Sequence, residues 1–327
     1  MNVCYFSSDK FVSVLATSIV SLLMNNRNDK IHFFIIEDGI TEKNKRLLTD
    51  IVYEHGCTIN YIEAPDPSIL FEFSLKEKYQ LGHSYVRMGI GSILPQTIKR
   101  TLVLDCDTLI TSDLSELWNV DLKDNILAGV ADCINVPAYR KRFFIDSMDI
   151  YCNAGVFLVD LEKWRLQSIE TRMKEKIKKC KGNIFFFEQT LINYACKGQI
   201  LKLHPKYNAF SALFVFSYKN LLLWRKPSNF YNEHDVNEAI SSPSIVHFTR
   251  NFYINCRPWT EGCVHPFNKE YKKYKNMTPW PELDPAEHSM KLKIIRIILH
   301  ILPQKFVLLI VSFLYNSVRP KIKWKNE

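Results

Sequence analysis

Leu102-Val103-Leu104-Asp105-Cys106-Asp107 is the stretch on which the reading of this 327-residue chain turns. Three apolar residues read as the end of a buried strand, and two carboxylates follow at i and i+2. On extended backbone that spacing puts both side chains on one side. Two acids so close repel each other unless a cation neutralises them, and a hard divalent ion, Mn²⁺ or Mg²⁺, suits the pair. Such an ion can bridge a diphosphate and stabilise the charge that develops as it departs. The plainer reading of the same residues is a strand-end turn whose acids cap backbone N–H groups. The pair alone does not decide between the two.

Outward from this stretch the pattern is regular. Residues 3–6, 31–36 and 58–62 read as strands, with helices over 11–24 and 41–54 between them. Thr41 followed by Asn44 predicts a helix N-cap, without a full capping box. Downstream, 101–104, 127–131 and 156–161 read as strands, and 162–179 and 188–196 as helices. Strands alternating with helices at this spacing predict an α/β fold, with a parallel sheet covered on both faces. Ligands of such sheets sit at the carboxyl ends of the strands, where Asp105 and Asp107 stand. Residues 205–245 are aromatic-rich and carry no period that assigns them. No internal repeat is present.

Hydrophobic residues make up 47% and charged residues 24%, which excludes a largely disordered chain. The nine cysteines contain no C-x-x-C pair, so a reducing, cytoplasmic compartment is expected. The first residues lack a basic segment followed by a long apolar run, and no signal peptide is expected. The net charge is +9, but residues 291–327 hold eight Lys or Arg against the single acid Glu327. A near-neutral body with a basic tail does not fit a nucleic-acid groove, and no nucleic-acid partner is expected. Within the tail, 306–318 is an uncharged run of 13 residues between Lys305 and Arg319. It is too short for the ~20 residues that span a bilayer core. A terminal helix packed on the domain is one reading. Residues 291–325 as a pair of in-plane helices on an anionic membrane surface is the expectation.

Two family resemblances bear on the acid pair. Asp105, Asp107 and the offset Thr108 resemble the nucleophile motif of haloacid-dehalogenase phosphatases, in which the first Asp attacks phosphate. That motif normally lies near the N-terminus and needs a later Gly-Asp pair, which this sequence lacks. The second resemblance is broader. Tyr151-Cys152-Asn153-Ala154-Gly155-Val156-Phe157-Leu158, continuing to Lys163-Trp164-Arg165, closely resembles a segment of family 8 glycosyltransferases. Tyr85-Val86-Arg87, the acidic strand end Gly129-Val130-Ala131-Asp132, His247-Phe248-Thr249 and Arg257-Pro258-Trp259 resemble further motifs of that family, in the same order. The pattern is most similar to the lipopolysaccharide core galactosyl- and glucosyltransferases.

The resemblance implies a GT-A type fold with a mostly parallel central sheet over 1–265, followed by a basic, amphipathic C-terminal region over 266–327. It implies a metal-dependent retaining hexosyltransferase, moving a hexose from a UDP-sugar to a glycan or lipid-linked glycan acceptor at the inner face of the bacterial cytoplasmic membrane. Asp105, Asp107 and His247 would hold Mn²⁺, with Mg²⁺ the alternative ion. Ser8, Asp9, Arg87, Cys106, Asn153 and Arg257 would contact the nucleotide-sugar together with the acid pair, and Asp132 the sugar or acceptor. Gln189 and Glu188 would be the catalytic pair, Gln189 stabilising an oxocarbenium-like transition state. Departures are visible at Ser8, Lys10, Glu188, Thr190, Arg250 and Arg257. They leave open a member that binds sugar nucleotide without transferring it, and the phosphatase is the other alternative.

Overall fold

The computed structural model describes residues 1–66, 86–134, 145, 148–182, 184–284, 296, 299 and 301–319. Its strands are β1 (Asn2–Ser8), β2 (His32–Asp38), β3 (Thr58–Glu63), β4 (Arg100–Leu104), β5 (Thr108–Ile110), β6 (Leu127–Ala131), β7 (Cys152–Asp160), β8 (Ile200–Lys202), β9 (Ala209–Phe210) and β10 (Ile245–His247). Seven form one sheet in the order β3-β2-β1-β4-β7-β6-β8, and β5-β10-β9 form a second. In the large sheet β7 pairs antiparallel with both β4 and β6, while every other pairing is parallel. The carboxyl ends of β1, β4 and β6 and the start of β7 therefore share one edge.

The helices are α1 (Val12–Asn25), α2 (Glu42–Glu54), α3 (Leu161–Leu166), α4 (Ile169–Lys179), α5 (Phe187–Ala195), α6 (Tyr218–Arg225), α7 (Asn268–Lys275) and α8 (Gln304–Phe313), together with a further helix at Glu233–Ser241 and shorter turns. α1 is buried over most of its length, and its small polar residues are satisfied internally: Thr17 Oγ1 donates to Ser13 O at 2.9 Å. Thr41 caps α2 as its sequence predicts, its side chain accepting from Asn44 N. α7 packs on α1 and places Tyr271 and Tyr274 in the main core.

The structure modifies three expectations. β7 begins at Cys152, earlier than expected, because the small residues of Cys152-Asn153-Ala154-Gly155 pair across an irregularity in β6, Ala131 opposite Cys152. The single helix expected over 162–179 is two, broken where Ser168 turns left-handed at φ 52°. In the tail, α8 packs one face on α6 and buries Val307 and Leu308, each contributing about 1.5–3 kcal/mol. Its opposite face leaves Phe306, Leu309, Ile310, Phe313 and Leu314 exposed. Among the described residues no helix is long and apolar enough to cross a membrane. Tyr85, Lys291, Lys293, Lys321, Lys323 and Lys325 lie outside the described residues.

Candidate active site

The acid pair sits in the short link between β4 and β5, and backbone bonds fix it on both sides. Asp105 N donates to Gly155 O at 2.7 Å, and Phe248 N to Asp107 O at 2.9 Å. β10 runs antiparallel to β5 with His247 opposite Thr108, one residue past Asp107. That register carries the imidazole to the carboxylates: His247 Nε2 lies 3.5 Å from Asp105 Oδ2 and 3.3 Å from Asp107 Oδ1. Candidate ligand atoms of the three side chains all fall within 4.8 Å of one another. A Cβ on Gly155 would stand 2.2 Å from His247 Cε1 and 2.6 Å from Asp105 Oδ2, so only glycine leaves this space open. Two carboxylates and an imidazole fit Mn²⁺, and fit Ca²⁺ less well.

Asn208 orients the histidine. Its Oδ1 lies 3.0 Å from His247 Nδ1 and can accept a proton-bearing Nδ1, which leaves Nε2 facing the acids, where it could serve as a ligand if an ion displaced its proton. Its Nδ2 donates to Asn153 Oδ1 at 3.0 Å, and the whole residue is buried. Burial opposes charge on His247, but Asp107 and Asp105 outweigh it and hold the imidazole above its ordinary pKa. Asp107 is likewise opposed by burial and held below the usual carboxylate range by His247, with Arg257 adding to the effect.

Beside the acid pair lies a second group, reached from β6, β7 and α5. Gln189 Nε2 donates to Asp132 Oδ2 at 3.0 Å, while its Oε1 accepts from Ala154 N at 3.2 Å and Asn153 Nδ2 at 3.3 Å. Asn153 Nδ2 also reaches Asp132 Oδ2 at 3.0 Å. Arg87 joins the two groups: it is ion-paired with Asp105 through Nη2, donates from Nη1 to Ala154 O at 2.9 Å, and stands 3.8 Å from Glu188. Its buried Nε has no hydrogen-bond partner among the described residues. Burial pushes Glu188 up to about 7, against the pull of Arg87.

The remaining candidates lie around this centre. Ser8 and Asp9 are at the carboxyl end of β1, and Cys106 Sγ contacts Phe6 O at 3.1 Å. Asp9 Oδ1 is engaged by Thr41 N and Asn44 Nδ2 at 2.9 and 2.7 Å. Thr190 turns inward, bonded to Tyr151 Oη at 2.7 Å and to Phe185 O, which accounts for the absence of an acid there. Two buried amides escaped the sequence reading. Asn208 lay in the unassigned stretch. Asn193 clamps α5 to β7, accepting from Cys152 N at 2.7 Å and donating to Cys152 O at 2.8 Å. Neither belongs to a motif read from the sequence, and an isolated Asn carries no periodic signal.

A mostly parallel sheet flanked by helices, with an acid pair at a strand end and a histidine brought in from a second sheet, makes a GT-A-like α/β fold. The chain belongs to glycosyl transferase family 8, whose model matches residues 2–263. It is 26% identical over 284 residues to general stress protein A of Bacillus subtilis, covering 86% of this chain and 94% of that one. It is 24% identical over 310 residues to lipopolysaccharide 1,2-glucosyltransferase of Escherichia coli, covering 88% and 81%. A crystal structure of the galactosyltransferase LgtC in complex with donor and acceptor sugar analogs has a similar fold, at TM-score 0.71 and 20% identity, covering 85% of this chain and 96% of that one.

Proposed function

We propose that this glycosyltransferase moves galactose or glucose from a UDP-sugar to lipopolysaccharide or a similar surface glycan, with retention of configuration and with Mn²⁺ or Mg²⁺ as its ion. One observation carries the reading: the Asp105, Asp107 and His247 cluster stands beside the Gln189, Asp132 and Asn153 network, with Arg87 bridging them. Two of the similar proteins, a lipopolysaccharide glucosyltransferase and a galactosyltransferase, support hexose transfer. The phosphatase reading has less support: the sequence lacks the later Gly-Asp pair that it needs, and the family model over residues 2–263 is that of a glycosyltransferase.

Asp105, Asp107 and His247 would hold the ion. When bound, it neutralises charge on the departing diphosphate. Arg257 adds positive potential near Asp107. Gln189 is fixed by three hydrogen bonds, and an amide is too weak a nucleophile for a covalent role. Its carbonyl dipole and the Asp132 carboxylate instead favour the positive charge that develops on the sugar ring. The acceptor hydroxyl attacks C1 on the face from which the phosphate leaves. The new C–O bond forms as the C1–phosphate bond breaks, and the hydroxyl proton passes to the departing phosphate oxygen.

The exposed apolar face of α8, next to a basic tail, supports peripheral binding through 291–325 at the inner face of the bacterial cytoplasmic membrane. The function is tested with a panel of nucleotide sugars plus Mn²⁺, reading UDP release and product configuration by NMR. An α-linked product from UDP-galactose or UDP-glucose is expected. A β-linked product contradicts retention, and absence of turnover with every donor supports a binding protein without transfer.

A further inference from the structure

Beside Gln189 opens a cleft of about 270 Å³. Its walls include Gln189 and Asp132, the run Phe185-Phe186-Phe187, and Arg319 from beyond α8. Glu188, Gln189 and Asp132 line it, while Asp105, Asp107 and His247 do not. Under the transferase reading, on which this inference rests, an acceptor hydroxyl must reach the donor sugar past Gln189. This cleft opens there.

The lining is unusual in two respects. Phe186 and Phe187 both adopt left-handed backbone, at φ 58° and 45°, a conformation that side chains with a Cβ rarely take. The strain is maintained by packing: Phe185 and Phe186 meet edge to face at 4.4 Å, and Phe186 lies 6.1 Å from Tyr315 of the tail. Strained segments of this kind cluster at ligand sites. Secondly, the Arg319 guanidinium lies over the rings of Phe185 and Tyr315, at 4.5 and 5.0 Å. Stacking uses its flat face. Its N–H edge makes no hydrogen bond or ion pair among the described residues, and the side chain is exposed. A planar fork held in place by rings is matched to a carboxylate or phosphate.

We propose that the C-terminal tail completes the acceptor subsite, with the phenylalanine rings taking the apolar face of an acceptor sugar and Arg319 taking an anionic group, phosphate or carboxylate, carried on it. The tail then serves selection as well as attachment. A neutral acceptor would fill the same cleft but leave the guanidinium edge in water.

The full chain is assayed by UDP release with Mn²⁺ and the donor it turns over. The glycosides added are methyl galactoside, methyl galactoside 6-phosphate and methyl galacturonide. Each glycoside is scored by the concentration that half-maximally changes the rate, whether as acceptor or as competitor. The wild type is expected to respond to a charged glycoside at about tenfold or more lower concentration than to the neutral one. The phosphate and uronate arms show which anion is taken. In R319Q the ratio of charged to neutral collapses towards one, and R319K keeps an intermediate ratio because it retains charge without the fork. The ratio is internal to each variant, so a general loss of activity does not mimic the result. A wild type indifferent to charge, or an R319Q protein that keeps the preference, overturns the proposal. Failure of the wild type to turn over any donor overturns the transferase reading instead.

Discussion

Asn208 connects the two halves of the site through one buried amide. Its carbonyl oxygen faces His247 Nδ1 and its amide nitrogen holds Asn153, so the imidazole beside the acid pair and the amide beside Gln189 share one support. Replacing it with alanine leaves the buried Nδ1–H without an acceptor and frees the ring to turn. N208A is expected to weaken Mn²⁺ binding by roughly 10–100-fold, the usual effect of losing such a support. Mn²⁺ titration followed by electron paramagnetic resonance of the free ion checks this without any turnover. Unchanged affinity would show that the ring is oriented by the acids alone. Asp105, Asp107 and His247 were legible in the sequence because carboxylates at i, i+2 after an apolar run have a direct chemical meaning and His247 lies within a recognisable motif. Asn208 was not, since an amide reveals its role only when folding shows what it faces.

At the scale of elements, apolar alternation located the strands and helices around the site to within a few residues. Where the reading missed, the deciding interaction was tertiary. β7 extends back through Asn153 and Gly155 because β6 and Asn193 offer partners to a segment whose composition is not strand-like. The helices α3 and α4 separate at a left-handed Ser168, with no glycine or proline to announce the break. The tail illustrates the same limit. Positions 307, 308 and 312 of α8 face the domain, and 306, 309, 310 and 313, with Leu314 just past its end, face outward. Both faces are apolar, so hydropathy alone could not tell packing from membrane binding. The outer face can be tested without disturbing the inner one. L309E/F313E is expected to keep the wild-type melting temperature and lose most of its sedimentation with anionic liposomes. Cosedimentation equal to wild type would remove the α8 face from membrane attachment.

Over the whole molecule, two sheets are set so that one strand-end edge gathers residues from distant segments. The large sheet brings the ends of β1, β4 and β6 and the start of β7 together, and the small sheet adds His247 through its register with Thr108. Gly155 keeps the space between them open. The consequence is a cluster of two carboxylates and an imidazole that could hold a cation, coupled by Arg87 to the Gln189 group that would act on the sugar. The most direct test of this account is donor turnover while Mn²⁺ is titrated back into the chelated full-length protein, for the wild type and D107A. Turnover that vanishes in EDTA, returns saturably with Mn²⁺ in the wild type and stays absent in a folded D107A is predicted. Full turnover in EDTA, or a D107A protein as active as the wild type, would contradict it.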